Sequence, residues 1–215
     1  MGQPTTTIWD FFSIELLAVA VADGLFSIIC ARDYGRNSDD GVLRNSPFGN
    51  LFHMNKLNIL PAYPLSNETE LFPMYFVGDE AFPLSENILR PYPGRDLNNK
   101  RRIFNDRLER ARKTVECAFL RLASKFRVFY SRISCEPTKI EVILKSACVL
   151  HNFIYKNEKF RVYPNEDNSV SFGKKLKVQN KRPTNTARAN RDKLADFFMK
   201  PENAVPWQNY YCVKS

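Results

Sequence analysis

The chain has 215 residues, of which 44% are hydrophobic and 13% aromatic, so it is long and apolar enough to bury the core of one domain. Its net charge of +9 and pI of about 9.4 favour a polyanionic partner, nucleic acid before any other. Five cysteines, an odd number without a C-x-x-C pair, argue against a disulfide framework and a zinc site and fit a reducing compartment. We expect most of these cysteines to be small buried hydrophobes.

Residues 11–33 predict two adjacent strands joined by a tight turn. The stretch is apolar enough to resemble a membrane span, but Glu15 and Asp23 put charge where a bilayer makes it costly. Asp23-Gly24 is instead the turn signal of a β-hairpin between two strand-like runs. We therefore expect a hairpin and no membrane partner.

A loop and a short helix are predicted next. Residues 34–47 are dense in Gly, Asn, Ser and Asp, which indicates a loop. The helix follows near 46–56, with Ser46 as its N-cap and Pro47 in its first turn.

An apolar run over 72–78 predicts a strand that ends on a carboxylate, Asp79. This residue is either a metal ligand or only a polar end to the strand, and the run alone leaves both interpretations open. Residues 83–103 hold several prolines and basic side chains, which predict a loop with one helical turn after Ser85.

Residues 104–128 carry the strongest local signal, because apolar residues recur in steps of three and four, as on one helix face. Asn105 or Asp106 is the expected N-cap. Between Lys100 and Arg132 there are eleven Lys or Arg residues against three acids. A solvated outer face predicts mixed signs, so this bias favours contact with phosphate groups. The side chains expected to contact a DNA backbone are Arg107, Arg110, Arg112, Lys113, Arg121 and Lys125.

Glu116 is the exception among these cations. It lies next to Val115 on the apolar flank of the predicted helix. One hypothesis is an ion pair with Arg112, one turn earlier. The other is a carboxylate directed at a metal, with the cations holding DNA around it. Spacing alone favours the ion pair.

Two further helices are predicted downstream. The first covers roughly 137–155, with Pro137 in its first turn, and the second lies near 188–199. Between them, residues 156–190 are rich in Lys, Asn, Arg and Ser and predict a mobile basic loop. His151 lacks a second His or Cys at metal spacing, so a buried, hydrogen-bonded histidine is favoured over a metal ligand.

Several stretches together resemble a known family. In chain order they are F-F-S-I-E-L-L-A-V (11–19), D-Y-G-R-N-S-D-D-G-V-L-R-N-S (33–46), V-G-D-E-A-F-P-L (77–84), R-P-Y-P-G-R (90–95), F-N-D-R-L-E-R-A-R-K-T-V-E-C-A-F (104–119), L-H-N-F-I (150–154), R-D-K-L-A-D-F-F (191–198) and V-P-W-Q (205–208). This ordered set is similar to the Harbinger-type DDE transposases and the nuclease-like proteins derived from them. The resemblance runs from about 11 to 208, with a gap of low similarity near 160–185.

The resemblance implies an α/β, ribonuclease-H-like DDE nuclease fold, a mixed sheet flanked by helices. Such enzymes hold two divalent cations with three carboxylates, and the metals activate water for an in-line attack on a phosphodiester. Mg²⁺ (or Mn²⁺) suits hard oxygen ligands of this kind. The family's second acid falls on Asp79 and its third on Glu116, so the resemblance favours a catalytic, metal-binding role for both.

The chain departs from the family pattern before Phe11. The family's first acid lies on an I-D-G-like strand ahead of the F-F-S-I stretch, and residues 1–10 do not contain it. Asp10 is too close to Phe11 to replace it. Asp23 lies in a turn, and Asp39 and Asp40 lie in the next loop; an approach of any of these to the metals stays open, but none matches the first-acid motif. We therefore expect an N-terminally truncated copy whose sheet lacks its first central strand and has unpaired edges.

These observations predict a non-matching N-terminus at 1–10, a partial DDE nuclease-like domain at 11–155, the basic loop at 156–190, and a C-terminal helix and tail of the same domain at 191–215. The expected function is metal-dependent DNA cleavage by descent, inactive in this chain because two acids hold a metal pair poorly. The alternative is a domesticated, non-catalytic DNA- or protein-binding module on the same fold. Expected partners are DNA and a separate DNA-binding protein, in the nucleus or also the cytoplasm.

Overall fold

The computed structural model describes residues 14–34, 43–66, 68–131, 133–157 and 182–208. Within these ranges the chain is a mixed α/β structure in which small two-stranded sheets pack against helices. The α/β class expected from the sequence is therefore confirmed. No helix in the described ranges is both long and apolar enough to cross a membrane.

The predicted hairpin is present. Strand β1 (Ile14–Ala20) pairs antiparallel with β2 (Phe26–Tyr34). Between them the N–H of Gly24 donates to the carbonyl of Val21 at 2.8 Å, and Gly24 has a φ of 75°. Glycine adopts this left-handed conformation without a steric penalty, which is why the Asp-Gly pair marks the turn.

The predicted short helix is also confirmed, as α1 (Pro47–His53). Its N-cap is Ser46, whose hydroxyl accepts from the N–H of Gly49 at 2.8 Å. The loop predicted at 34–47 falls largely outside the described residues.

The prediction of one continuous strand over 72–78 is wrong. The structure has instead β4 (Leu71–Phe72), which pairs antiparallel with β3 (Tyr63–Pro64), and β5 (Phe76–Val77). Pro73 lies between β4 and β5, and proline has no N–H to donate to a ladder, so the run divides there.

The helical turn predicted after Ser85 is wrong as well. Residues Ile88–Leu89 form β6, which pairs parallel with β5. A strand of two residues has no detectable alternation, so its sequence gave no signal of either kind. Both residues of β6 are buried.

Helix α2 spans Asn99–Lys125 and is followed by a short 3₁₀ helix at Arg127–Tyr130. It begins five residues before the predicted start, with Asn98 as N-cap, so the prediction of Asn105 or Asp106 as cap is wrong. Its first turn is polar, and apolar spacing therefore detects the helix only from about its second turn onward.

Two more helices complete the described fold. Helix α3 spans Pro137–Asn157, as predicted, and α4 spans Asn185–Met199 with Thr184 as its N-cap. The last six residues of the loop predicted at 156–190 are therefore helical, and its residues 158–181 lie outside the described ranges.

The core consists of three clusters of buried side chains, and α2 contributes to two of them. Its N-terminal half packs on α4. Its C-terminal half packs on α3 and on β2, where Phe26 and Cys148 are buried. The third cluster joins the hairpin to α1 and β6. Of the four cysteines that the structure describes, Cys148 is buried, Cys30 and Cys117 are half-buried and Cys135 is exposed, so the expectation that most are buried is wrong.

Candidate metal and nucleic-acid site

Asp79 lies directly beyond the parallel pairing of β5 with β6. The last ladder bond runs from the N–H of Gly78 to the carbonyl of Leu89 at 2.9 Å. Asp79 is half-buried, and its Oδ1 accepts from the N–H of Ala81 at 2.9 Å. One carboxylate oxygen is thus fixed by a local turn, so the carboxylate is held in place at the carboxyl end of a strand.

Glu116 lies in the middle of α2, and α2 packs against β5 and β1. Its Oε1 lies 2.7 Å from Nη1 of Arg112, with 31% of the Arg112 side chain and 37% of the Glu116 side chain exposed. The ion pair anticipated from the spacing is therefore present. A pair this accessible contributes little to stability, about 0.2 to 1 kcal/mol, so a competing cation can displace it at low cost.

Asp79 follows β5 and Glu116 lies on α2, and these two elements contact each other, as the metal hypothesis requires. Carboxylate oxygens are the donors that Mg²⁺ prefers. Within the described ranges, however, no group of three or more His, Cys, Asp or Glu side chains is placed to hold a metal. The donor type fits and the donor number falls short, so the metal role of Asp79 and Glu116 stays a prediction.

Arg107 is directed at the C-terminal segment of the chain. It donates to the carbonyl of Asn203 at 2.7 Å and to Oε1 of Gln208, and its guanidinium lies 4.3 Å from the centre of the Phe198 ring. Burial lowers the pKa of Arg107 from its usual value. This arginine holds the segment that contains Phe198, Asn203 and Gln208 against α2.

The other predicted DNA contacts divide into two groups. Arg110 stacks on the ring of Trp207 at 3.9 Å, and Arg121 donates to the hydroxyl of Tyr155 at 3.0 Å. Lys113 and Lys125 are exposed. Net charge alone therefore treats structural and surface cations alike, and the DNA-binding role of all six stays a prediction.

His151 is a buried, hydrogen-bonded histidine, as the sequence predicted. It is 3% exposed, and its Nε2 lies 3.1 Å from the carbonyl oxygen of Gly24. Burial lowers its pKa, the hydrogen bond to Gly24 opposes that change, and the charge of Arg121 adds to it. His151 fastens α3 to the hairpin turn.

Sequence reasoning missed a groove whose lining includes Glu80, the residue that follows Asp79. Four arginines and Glu80 line it, and its volume is about 610 Å³. Two of the stretches that carried the family resemblance, R-P-Y-P-G-R (90–95) and R-D-K-L-A-D-F-F (191–198), meet at this groove. About a hundred residues separate the two stretches, so no local pattern indicated that they belong to one surface.

Comparison with known proteins supports the same family. The family model for the DDE superfamily endonuclease matches residues 9–152, which include Asp79 and Glu116. This chain belongs to the DDE superfamily endonucleases. The resemblance to Harbinger-derived DDE proteins is therefore confirmed.

A curated relative of this DDE chain is "Protein ALP1-like" from Arabidopsis thaliana, which is 32% identical over 161 residues. The alignment covers 73% of this chain and 39% of the relative, so the chain spans about two-fifths of that protein. No solved structure gives a significant match.

Proposed function

We propose that this DDE-family chain is a DNA-binding domain with a ribonuclease-H-like fold, and that Asp79 and Glu116 are two of the three carboxylates of its metal site. One observation carries this proposal. Asp79 lies at the carboxyl end of a parallel strand pair, and Glu116 lies on the long helix that packs against β5, one strand of that pair. Chemistry in open α/β sheets is commonly sited at such an edge.

The residues themselves supply oxygen ligands and their support. The N–H of Ala81 orients the Asp79 carboxylate, and Arg112 balances the charge of Glu116 at 2.7 Å. Asp79 and Glu116 would be two of the ligands of Mg²⁺, or Mn²⁺, and the metal would supply activation of water and stabilisation of the leaving oxygen.

Cleavage by the 215-residue chain is proposed to be negligible. Two acids are fewer than the three that DDE nucleases use to hold their metal pair, and each missing charge weakens the binding of a hard cation. DNA binding does not need the third acid, since it depends on cations that neutralise phosphates. Binding without cutting is therefore the proposed state of this chain, and its proposed location is the nucleus.

Two measurements on the purified chain test this function. Fluorescence anisotropy with a labelled DNA duplex is expected to show binding that weakens as salt rises. Supercoiled plasmid incubated with Mg²⁺ or Mn²⁺ is expected to remain supercoiled. Absence of duplex binding contradicts the DNA-binding proposal.

A matched pair of variants separates catalysis from contamination in the plasmid assay. Asp79→Ala removes the proposed ligand, and Glu86→Ala removes an exposed acid elsewhere. Nicking by the wild-type chain that Asp79→Ala abolishes and Glu86→Ala retains would overturn the proposed inactivity. Nicking that both variants retain is an impurity.

A further inference from the structure

The groove lined by Glu80 and the four arginines has the lining of an anion site. Its volume of about 610 Å³ lies within the roughly 300 to 1,000 Å³ typical of ligand sites. Arginines form most of its polar lining: Arg90, Arg182, Arg188 and Arg191, with Glu80 as the one acid among its lining residues. A second cavity, of about 170 Å³ near Phe52, has no charged residue in its lining. Of these two cavities, the first is therefore the one with concentrated positive charge in its lining.

The position of the groove relative to the sheet also favours a ligand. Glu80 follows Asp79 at the end of β5, and Arg90 follows Leu89 at the end of β6. One wall therefore lies at the carboxyl ends of two parallel strands, where α/β sheets commonly bind ligands. The opposite wall is the first turns of α4, with Arg188 and Arg191 one turn apart.

The first wall is held rigidly by Tyr92, which is 4% exposed. The N–H of Tyr92 donates to Oδ1 of Asn105 at 2.8 Å, and its carbonyl accepts from Nδ2 of Asn105 at 3.0 Å. Its hydroxyl donates to Oδ1 of Asp192 on α4. These bonds tie the residues around Arg90 to both α2 and α4, so the two walls have a defined separation.

Two of the four arginines are fixed by protein contacts. Arg191 donates to the carbonyl of Pro91 at 3.4 Å and lies 4.0 Å from the centre of the Tyr92 ring, while its Nε is buried without a hydrogen-bond partner. Arg90 donates from Nη1 to the carbonyls of Glu80 and Phe82, each at 3.3 Å. The groove therefore has cationic side chains at set positions, which limits the ordering cost of binding.

The other two arginines have their charge available to a ligand. Arg182 and Arg188 are exposed, and their side chains make no hydrogen bond or ion pair with the described part of the chain. A guanidinium presents a planar fork of donors that matches the oxygens of a phosphate. Two guanidinium groups that are available to a ligand therefore line the groove together with two that protein contacts hold in place. This arrangement is suited to successive phosphates.

We propose that this arginine groove binds the phosphate backbone of DNA at the strand end where Glu80 follows Asp79. The inference deepens the proposed DNA-binding function and rests on it. It adds a contact surface outside α2, where the sequence had put all the phosphate contacts. Three of its four arginines also lie beyond residues 9–152, the part that matches the family model.

The test compares two double variants that lose the same charge. Arg182→Ala/Arg188→Ala removes the two free arginines, and Lys56→Ala/Lys139→Ala removes two exposed lysines from other surfaces. Each is titrated into a labelled random-sequence duplex at several salt concentrations. We expect the arginine variant to bind about tenfold more weakly at moderate salt and to reduce the slope of log K against log salt by about 1 to 2.

The outcomes separate this inference from the function on which it rests. If the wild-type chain binds duplex and both double variants match it, the groove inference is overturned while DNA binding stands. If the wild-type chain does not bind duplex, the proposed function fails and the groove assignment fails with it. Circular dichroism of both double variants checks that they fold. The double variant Arg182→Lys/Arg188→Lys keeps both positive charges, so it should retain most of the affinity for duplex that the alanine variant loses.

Discussion

The side-chain amide of Asn152 pairs with both backbone polar groups of Phe26. Its Oδ1 accepts from the N–H at 2.9 Å, and its Nδ2 donates to the carbonyl at 2.8 Å. Asn105 makes the same pair of bonds with Tyr92. In each case a helical asparagine satisfies both backbone groups of a buried aromatic residue in another segment, so the amide joins two parts of the fold.

Replacing Asn152 should therefore destabilise the fold. Asn152→Ala leaves the N–H and the carbonyl of Phe26 without their partner, and each unsatisfied buried group costs about 1 to 3 kcal/mol. We expect the free energy of unfolding to fall by about 2 to 4 kcal/mol, measured by urea denaturation.

Asn157 on the same helix provides the control. It is exposed, and among the described residues its amide donates to the carbonyl of Phe153 in its own helix. Asn157→Ala should change stability by no more than about 0.5 kcal/mol. Equal losses in the two variants would show that the Asn152 pairing does not stabilise the fold.

Stability should depend on pH through His151. Burial lowers its pKa below the usual 6.5, so the unfolded chain binds a proton more readily than the folded one. The free energy of unfolding should therefore be steady above about pH 7.5 and decrease as the pH falls through about 6.5, by at most about 1.4 kcal/mol per pH unit. Below the lowered pKa of His151, the folded and unfolded chains both bind the proton, so the free energy of unfolding no longer decreases through this residue.

Urea denaturation between about pH 7.5 and about pH 5.5 measures this slope. His151→Gln retains a donor for the Gly24 carbonyl and should remove part of the slope, even if it lowers stability throughout. His53→Gln makes the same substitution at an exposed histidine and is the matched control. A slope unchanged by His151→Gln assigns the effect to other groups.

The sequence predicted the elements that depend on local signals. Asp23-Gly24 marked the hairpin, Ser46-Pro47 marked the start of α1, and apolar spacing marked the long helices. It did not predict the pairing of β5 with β6, because each strand has two residues and their bonds join segments that no periodic pattern relates.

The candidate site divides in the same way. Family motifs identified Asp79 and Glu116, but the arginine groove depends on how α4 docks beside residues 90–93, which is a tertiary contact. Arg107 and Lys113 are also alike in the sequence. Only the folded chain shows that the first is held by Asn203 and that the second is exposed.

Arg107 and Lys113 should accordingly give opposite results when replaced. Arg107→Ala removes bonds to Asn203 and Gln208 and a stacking contact with Phe198, so we expect a loss of about 2 to 4 kcal/mol in unfolding free energy. Lys113→Ala should leave stability unchanged and reduce the salt slope of duplex binding by about 1. Urea denaturation and anisotropy on both variants measure the two effects. If Arg107→Ala leaves the free energy of unfolding unchanged and lowers the affinity for duplex, Arg107 contacts DNA and its structural role is contradicted.

Arg112 should compete with a metal ion for Glu116. Its guanidinium lies 2.7 Å from the Glu116 carboxylate, so a cation that binds this carboxylate must displace it. Arg112→Gln removes the competitor, and we expect Mn²⁺ to bind about 1.5- to 5-fold more tightly, as the modest energy of an exposed ion pair dictates. Titration of Mn²⁺ without DNA, followed by electron paramagnetic resonance, measures this.

Lys113→Gln makes the same charge change on an exposed side chain, so an equal gain there means that general charge, not release of Glu116, sets the affinity. Glu116→Gln should weaken Mn²⁺ binding in the Arg112→Gln background, and no change there would remove Glu116 from the metal site.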